Sequence, residues 1–424
     1  MNRVNRQTRR SPLLAALLTT ILTVCLPVAA LCEVVQTGVV ATVAADYSSG
    51  ATSVIDVDPA GGPRAVENDL APTISDILVA AYGSAFYRLE RFMRDNVTKF
   101  DISAPATPVY QYSVLDDGDT ASANPHAMIF LNDQKAYLLL YGKTKAWIVN
   151  PNAANEAEFK IGELDLSAYG DADGIPEMDN GIIVDGILYI TVQRLDRNDE
   201  WAPRTAYLAL FDTTTDTEID TGVANDDNVL GIPLPIKNPG VIQYLDANDT
   251  IYVQGAGDYG SFSGTRPLEY AGGIATVDPS SYATAMLVDD GDDDDAPYGL
   301  ISSMAIVSAD KGYLVGYDGF GDNTLYEFSP TTGDVSGTAN DALMNKSLAG
   351  LAVDQNDMLW VCSQSDAQVA ILDTADNTIN ENVRTNLNPS TIAFTTEGKA
   401  GSGGSSDDDG STCFIDTVLG GLFE

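Results

Sequence analysis

The sequence predicts an all-β fold, a seven-bladed β-propeller of four-stranded antiparallel blades closed by pairing of its N- and C-terminal strands. Three observations carry this. An aromatic hairpin recurs at nearly even spacing, each copy is followed by two further short strands, and 37 glycines with 19 prolines in 424 residues supply turns rather than long helices.

The hairpin copies are Ile129–Leu140, Ile182–Val192, Ile242–Gln254, Ala305–Gly316 and Leu351–Cys362. Each has a short apolar strand, an Asn/Asp/Gly turn and an aromatic-bearing strand. Tyr137, Tyr189, Tyr252, Tyr313 and Trp360 hold equivalent places, with steps of 52, 63, 61 and 47 residues. A degenerate copy at Ile77–Phe92 precedes them through Tyr87. The third strand of each unit ends in Asp, Asn or Ser, as in LALFDTTTDTEIDTG and VAILDTADNTINENV. Those side chains accept hydrogen bonds from the next backbone amides and reverse the chain.

Four strands per repeat make a sheet that cannot cover its own faces, so the units must stack in a ring. Six full units are legible, at 76–116, 125–166, 180–223, 238–288, 300–337 and 347–387. Residues 39–70 hold a partial unit, and Pro389–Thr395 is a lone strand of the first-strand type. The lone strand completes the partial unit, which makes seven blades over 37–395 and removes exposed sheet edges; six or eight blades are the alternatives, because the first two units are poorly formed.

The segment Val369–Phe394 (VAILDTADNTINENVRTNLNPSTIAF) combines an Asp-Thr turn, a fourth strand and an Asn-Pro entry into the next blade. Here the chain resembles the YVTN/NHL-type propellers of exported bacterial proteins. The resemblance implies the fold and a bias toward binding, and it brings no catalytic residue with it.

The two ends carry an address. Residues 1–10 hold four arginines and no acid, and Leu13–Ala30 is apolar with a small-residue exit, the pattern of a secretory signal over 1–30. Pro27 and the small residues after it suit cleavage better than an uncleaved membrane anchor, so no transmembrane helix is expected after signal removal. The expected location is extracellular or cell-surface, with the periplasm as the other exported compartment. Residues 396–424 form a flexible acidic Gly/Ser linker that ends in a Cys-containing tail. Its Cys413-Phe414-Ile415 resembles the Gram-negative sorting tails, which implies envelope anchoring through Cys413. Cys362, within an apolar run, reads as a buried small hydrophobe.

Charge excludes several classes. Sixty-one acids against 22 bases give a formal charge of −39, which disfavours nucleic acid and anionic lipid as partners. One histidine, His126, excludes His-cluster metal sites, and no haem, zinc or nucleotide signal is present. His126 follows Pro125 at a strand entrance, where a structural role is expected. A Ser-His-Asp site would need it, and no Gly-x-Ser-x-Gly elbow accompanies it.

The inter-blade connections and the loops from second to third strands emerge on one face, and these are the long, acidic ones. Oxygen-rich loops suit calcium. Asp171, Asp173, Glu177 and Asp179 resemble part of a calcium loop with Gly174 at its turn, and Asp289, Asp290, Asp292, Asp293, Asp294 and Asp295 crowd a second. Arg194, Arg197, Trp201, Arg204, Tyr259, Phe262 and Arg266 are the expected patch for a protein or glycan ligand on this acidic face. The function expected is a ligand- or protein-binding module at the cell surface or outside the cell; its acidic loops read either as calcium sites on which binding depends or as a solvated acidic surface. The alternatives are a calcium-assisted hydrolase or lyase working with carboxylates, and a structural cell-surface protein.

Overall fold

Each hairpin unit forms the two inner strands of a four-stranded antiparallel sheet, and seven such sheets make the ring. The computed structural model describes residues 33–59 and 62–399, and the ring is the compact unit Val34–Glu397. The expected signal, Cys32, Cys413 and the tail from residue 400 lie outside the described residues.

The strands nearest the axis are Ile77–Tyr82, Pro125–Asn132, Met178–Val184, Pro239–Leu245, Leu300–Ile306 and Leu348–Val353 in blades two to seven. The first blade takes its inner strand from the other end of the chain. Its order is Val66–Thr73, Gly50–Asp56, Glu33–Val43 and then Asn388–Lys399. Side chains reinforce this closure: Ser390 Oγ donates to the Ala41 carbonyl at 3.2 Å and Thr395 Oγ1 to that of Thr37 at 3.3 Å.

The recurring aromatics are buried where neighbouring blades meet. Tyr87, Tyr137, Tyr189, Tyr252, Tyr313 and Trp360 all have less than about 2% of their surface exposed. Three of the phenols also reach the outer turn of the following blade. Tyr137 donates to Asp216 at 2.7 Å, Tyr252 to the Pro330 carbonyl at 3.2 Å and Tyr313 to Asn377 at 2.6 Å. Asp216 and Asn377 both have positive φ, 56° and 61°. Asp and Asn tolerate that conformation better than other non-glycine residues, so one residue type serves both the turn and the weld between blades. The expected turn bonds are also present: Asp212 Oδ1 accepts from the Thr214 and Thr215 amides, and Asp278 Oδ1 from those of Ser280 and Ser281.

Trp360 marks the seam between the last blade and the first. Its ring meets Phe394 edge to face at 5.2 Å, and a Cβ on Gly38 would lie 2.7 Å from it. The indole N–H donates to Asp354 at 2.8 Å, and Arg64 pairs with Glu381 across the same seam at 3.2 Å. Cys362 is a free, fully buried thiol, as its apolar run predicts.

Blade four departs from the expected pattern. Its outer edge is split between Thr217–Glu218 and Ile232–Pro233, which both pair with Tyr207–Asp212. Sequence reading places 223–240 between blades. Ile232 and Ile236 are instead buried in the core shared by blades four and five, so hydrophobic burial draws the segment back onto its own blade.

Candidate functional site

Because the strands form an antiparallel meander, all inner strands begin on the loop-bearing face, and all second strands end there. The inner strands surround an axial cavity of about 750 Å³. Every blade lends a residue to its wall, including Leu78, Ala127, Ile182, Val241, Ser303, Leu351 and Ile392. The wall mixes apolar side chains such as Leu78, Ile129, Ile182 and Leu351 with polar ones, among them Arg91, His126 and Asp179 at the mouth.

There, four residues from three blades form a chain. Arg91 Nε donates to Asp76 at 2.7 Å, and Arg91 Nη1 lies 3.0 Å from His126 Nε2. His126 Nδ1 lies 2.9 Å from Asp179 Oδ1. A guanidinium can only donate, so Nε2 accepts and Nδ1 carries the proton that Asp179 receives. The imidazole also stacks on Tyr141, with ring centres 4.1 Å apart. Tyr141 in turn donates to Gln193 at 2.7 Å, and Gln193 donates to the Pro239 carbonyl at 2.9 Å. His126 is thus held from three sides, with both ring nitrogens in use.

The expected metal loop divides. Asp171 and Asp173 come together and are joined by Asp196 from the neighbouring loop, with one carboxylate oxygen of each within 4.8 Å of the others. Asp171 Oδ2 is buried without a hydrogen-bond partner. Burial raises the proton affinity of Asp171, and the charges of Asp173 and Asp196 add to it. Glu177 and Asp179 go elsewhere. The chain enters the inner strand of blade four at Met178, which carries Asp179 to the axial mouth. Glu177 is fully buried and accepts from the Leu195 amide and from Arg197 Nε, both at 3.0 Å.

The second acidic run holds no grouped oxygens of this kind among the described residues. Asp289 and Asp292 accept backbone amides within their own turns, and Asp292, Asp293, Asp294 and Asp295 are exposed. Asp290 points inward, accepts the Gly272 amide at 3.0 Å and is fully buried. Burial pushes its carboxyl up to about 6.

The arginines of the expected ligand patch are taken up by the loops that carry them. Arg194 is buried and clasps Asp227 at 2.6 Å, and Arg204 pairs with Asp196 at 2.6 Å and Asp199 at 3.0 Å. Arg197 lies 5.0 Å over the Trp201 ring while bonded to Glu177. Arg266 holds Asp258 at 2.7 Å and reaches the Asp199 carbonyl at 2.8 Å, which ties the two long loops together. Trp201 stays partly exposed and Phe262 almost wholly so. Tyr259 lies apart from them, edge to face with Tyr317 at 5.5 Å.

Arg91 and Asp76 carry no sequence signal of their own. They join His126 and Asp179 only because the ring sets blades two, three and four side by side.

No family model matches this chain, and no curated protein matches it. Solved propeller structures do. A Lactobacillus plantarum protein is 13% identical, over 85% of this chain and 99% of its own, with a TM-score of 0.57. The periplasmic gluconolactonase PpgL of Pseudomonas aeruginosa is 12% identical over 86% of this chain and 99% of its own, with a TM-score of 0.52. Apo AztD from Citrobacter koseri is 14% identical over 87% and 99%, with a TM-score of 0.50. At such identities the likeness establishes the fold alone.

Proposed function

We propose that this chain is an exported binding protein of the cell surface or periplasm, and that a small ligand seats at the mouth of its axial cavity. The carrying observation is the Asp76–Arg91–His126–Asp179 chain at the mouth of a cavity of mixed apolar and polar lining, since small-ligand pockets combine apolar surface with convergent polar groups. Binding is favoured over histidine-based catalysis because both His126 nitrogens are already committed, one of them to a permanent cation. Export is supported by the basic-then-apolar start and by the YVTN-type pattern. Among the described residues, no helix is long and apolar enough to cross a membrane.

The test is a melting-temperature screen with soluble neutral, anionic and cationic small molecules, run on wild type and Arg91→Leu. At a ligand concentration about 100 times Kd, binding stabilises by about 2.7 kcal/mol. At least one class should raise the melting temperature of wild type and do so less in the variant. No rise with any class, or equal rises in both proteins, would end this reading.

A second reading is favoured by the Asp171–Asp173–Asp196 group: the loop-bearing face takes up calcium, whose hard charge suits clustered carboxylates. Calcium should raise the melting temperature of wild type, and Asp171→Asn with Asp173→Asn should abolish that rise. The same melting curve with and without calcium would reduce the group to internal loop structure.

A further inference from the structure

Beside the axial mouth, between blades six and seven, the loop-bearing face holds a second recess of about 390 Å³. It shares Ser303 and Thr391 with the axial wall. Two features set it apart. None of its lining residues carries a charge, in a chain with 61 acidic residues. One side is walled by aromatic rings: Tyr259 and Tyr317 meet edge to face, and Phe320 is 86% exposed.

The polar groups beneath the rings are unpaired. Asn323 is only 5% exposed, and its backbone bonds to Lys346, yet no hydrogen bond reaches its side-chain amide. Ser303 is 8% exposed and its hydroxyl, like the Asn323 amide, stays open to the recess, while Thr391 Oγ1 is buried without a partner. A buried polar group left unpaired costs free energy, and an occupant that bonds Thr391 Oγ1 could also meet the open Asn323 amide and Ser303 hydroxyl beside it.

We infer that this recess is a binding subsite for a neutral carbohydrate. A pyranose has an apolar C–H face, which the rings of Tyr259, Tyr317 and Phe320 suit, and a rim of hydroxyls that both donate and accept. The Asn323 amide offers a donor and an acceptor together, and Ser303 and Thr391 each offer a hydroxyl. An anionic sugar would find no counter-charge here and would be repelled by the net charge of −39. A quaternary ammonium ion would suit the rings but leave all three polar groups unpaired. The inference extends the proposed binding role by naming the ligand class of the recess next to the axial mouth.

The experiment is isothermal titration of the full chain with neutral monosaccharides and short neutral oligosaccharides, alongside glucuronate and tetramethylammonium. The variants are Phe320→Ala, which removes an exposed ring, and Asn323→Leu, with folding checked by thermal melting; Phe92→Ala is the surface control. At least one neutral sugar should bind saturably. Phe320→Ala should weaken it about fivefold or more, Asn323→Leu about tenfold or more, and Phe92→Ala less than twofold. If Asn323→Leu fails to fold, Phe320→Ala alone decides the outcome. The inference is overturned if no neutral sugar binds, if Phe320→Ala leaves binding intact, or if either charged probe binds more tightly than every sugar. Loss of sugar binding in Arg91→Leu but not in Phe320→Ala would move the sugar to the axial mouth, keeping the proposed function and rejecting this recess.

Discussion

Trp360→Ala will lower the stability of the ring by about 3–5 kcal/mol, the range for large aromatic truncations in a core. The indole is fully buried at the seam of blades seven and one. Three losses coincide when it goes. A cavity opens against Phe394 and the bare backbone of Gly38, which has no side chain to fill it. Asp354 Oδ2 loses its indole donor while Asp354 Oδ1 stays bonded to the Asn356 and Met358 amides. The guanidinium of Arg64, 5.8 Å from the ring centre, loses its aromatic neighbour. Trp360→Phe keeps most of the packing and should cost less than half as much. Equilibrium unfolding in urea measures both. A cost below about 1 kcal/mol for the alanine variant would mean that the seam does not depend on this side chain.

A chain ending at residue 387 will lose cooperative unfolding altogether. It would leave the first blade with three strands and turn Glu33–Val43 from an interior strand into an edge. Val39, Val40 and Ala41 in that strand are fully buried, so the new edge is apolar and unpaired on the side facing the axis. Such an edge is a template for association with other chains. The expected readouts are a lost or broadened melting transition and aggregation on size exclusion. A synthetic peptide of residues 388–399 added in trans should restore part of the transition. A sharp, unshifted melting curve for the shortened chain would show that the ring holds without its closing strand.

The ring was legible because the seams repeat a chemical need. Tyr87, Tyr137, Tyr189, Tyr252, Tyr313 and Trp360 recur because six of the seven blade boundaries bury a large ring at the same strand position, and their spacing marks six of the blades. The weak first unit could be read only together with Pro389–Thr395, since neither fragment makes a blade alone.

The sites were legible only where their residues are close in the chain. Asp171 and Asp173, two apart on one turn, come together as their spacing predicts; Asp196, which completes the group, sits on another loop. Asp179 shares the same run of acids, but the strand beginning at Met178 turns it toward His126. The arginines and aromatics of the long loops look like a recognition patch, yet each arginine has an acidic neighbour that claims it. In a chain with so many carboxylates, an isolated cation finds an internal partner before it can serve an external one. Nothing in the chain order links Ser303, Asn323 and Thr391. Their shared recess exists only once the last strand lies beside blade seven.

That arrangement fixes an order of events during synthesis. Of the ring's strands, Asn388–Lys399 leaves the ribosome last, yet the strand it must lie beside, Glu33–Val43, is the first of them to emerge. Until then every nascent intermediate is an open arc with two raw ends, the stage at which large β-proteins most need chaperones. A polypeptide that cannot lock early also stays threadable until its closing strand arrives.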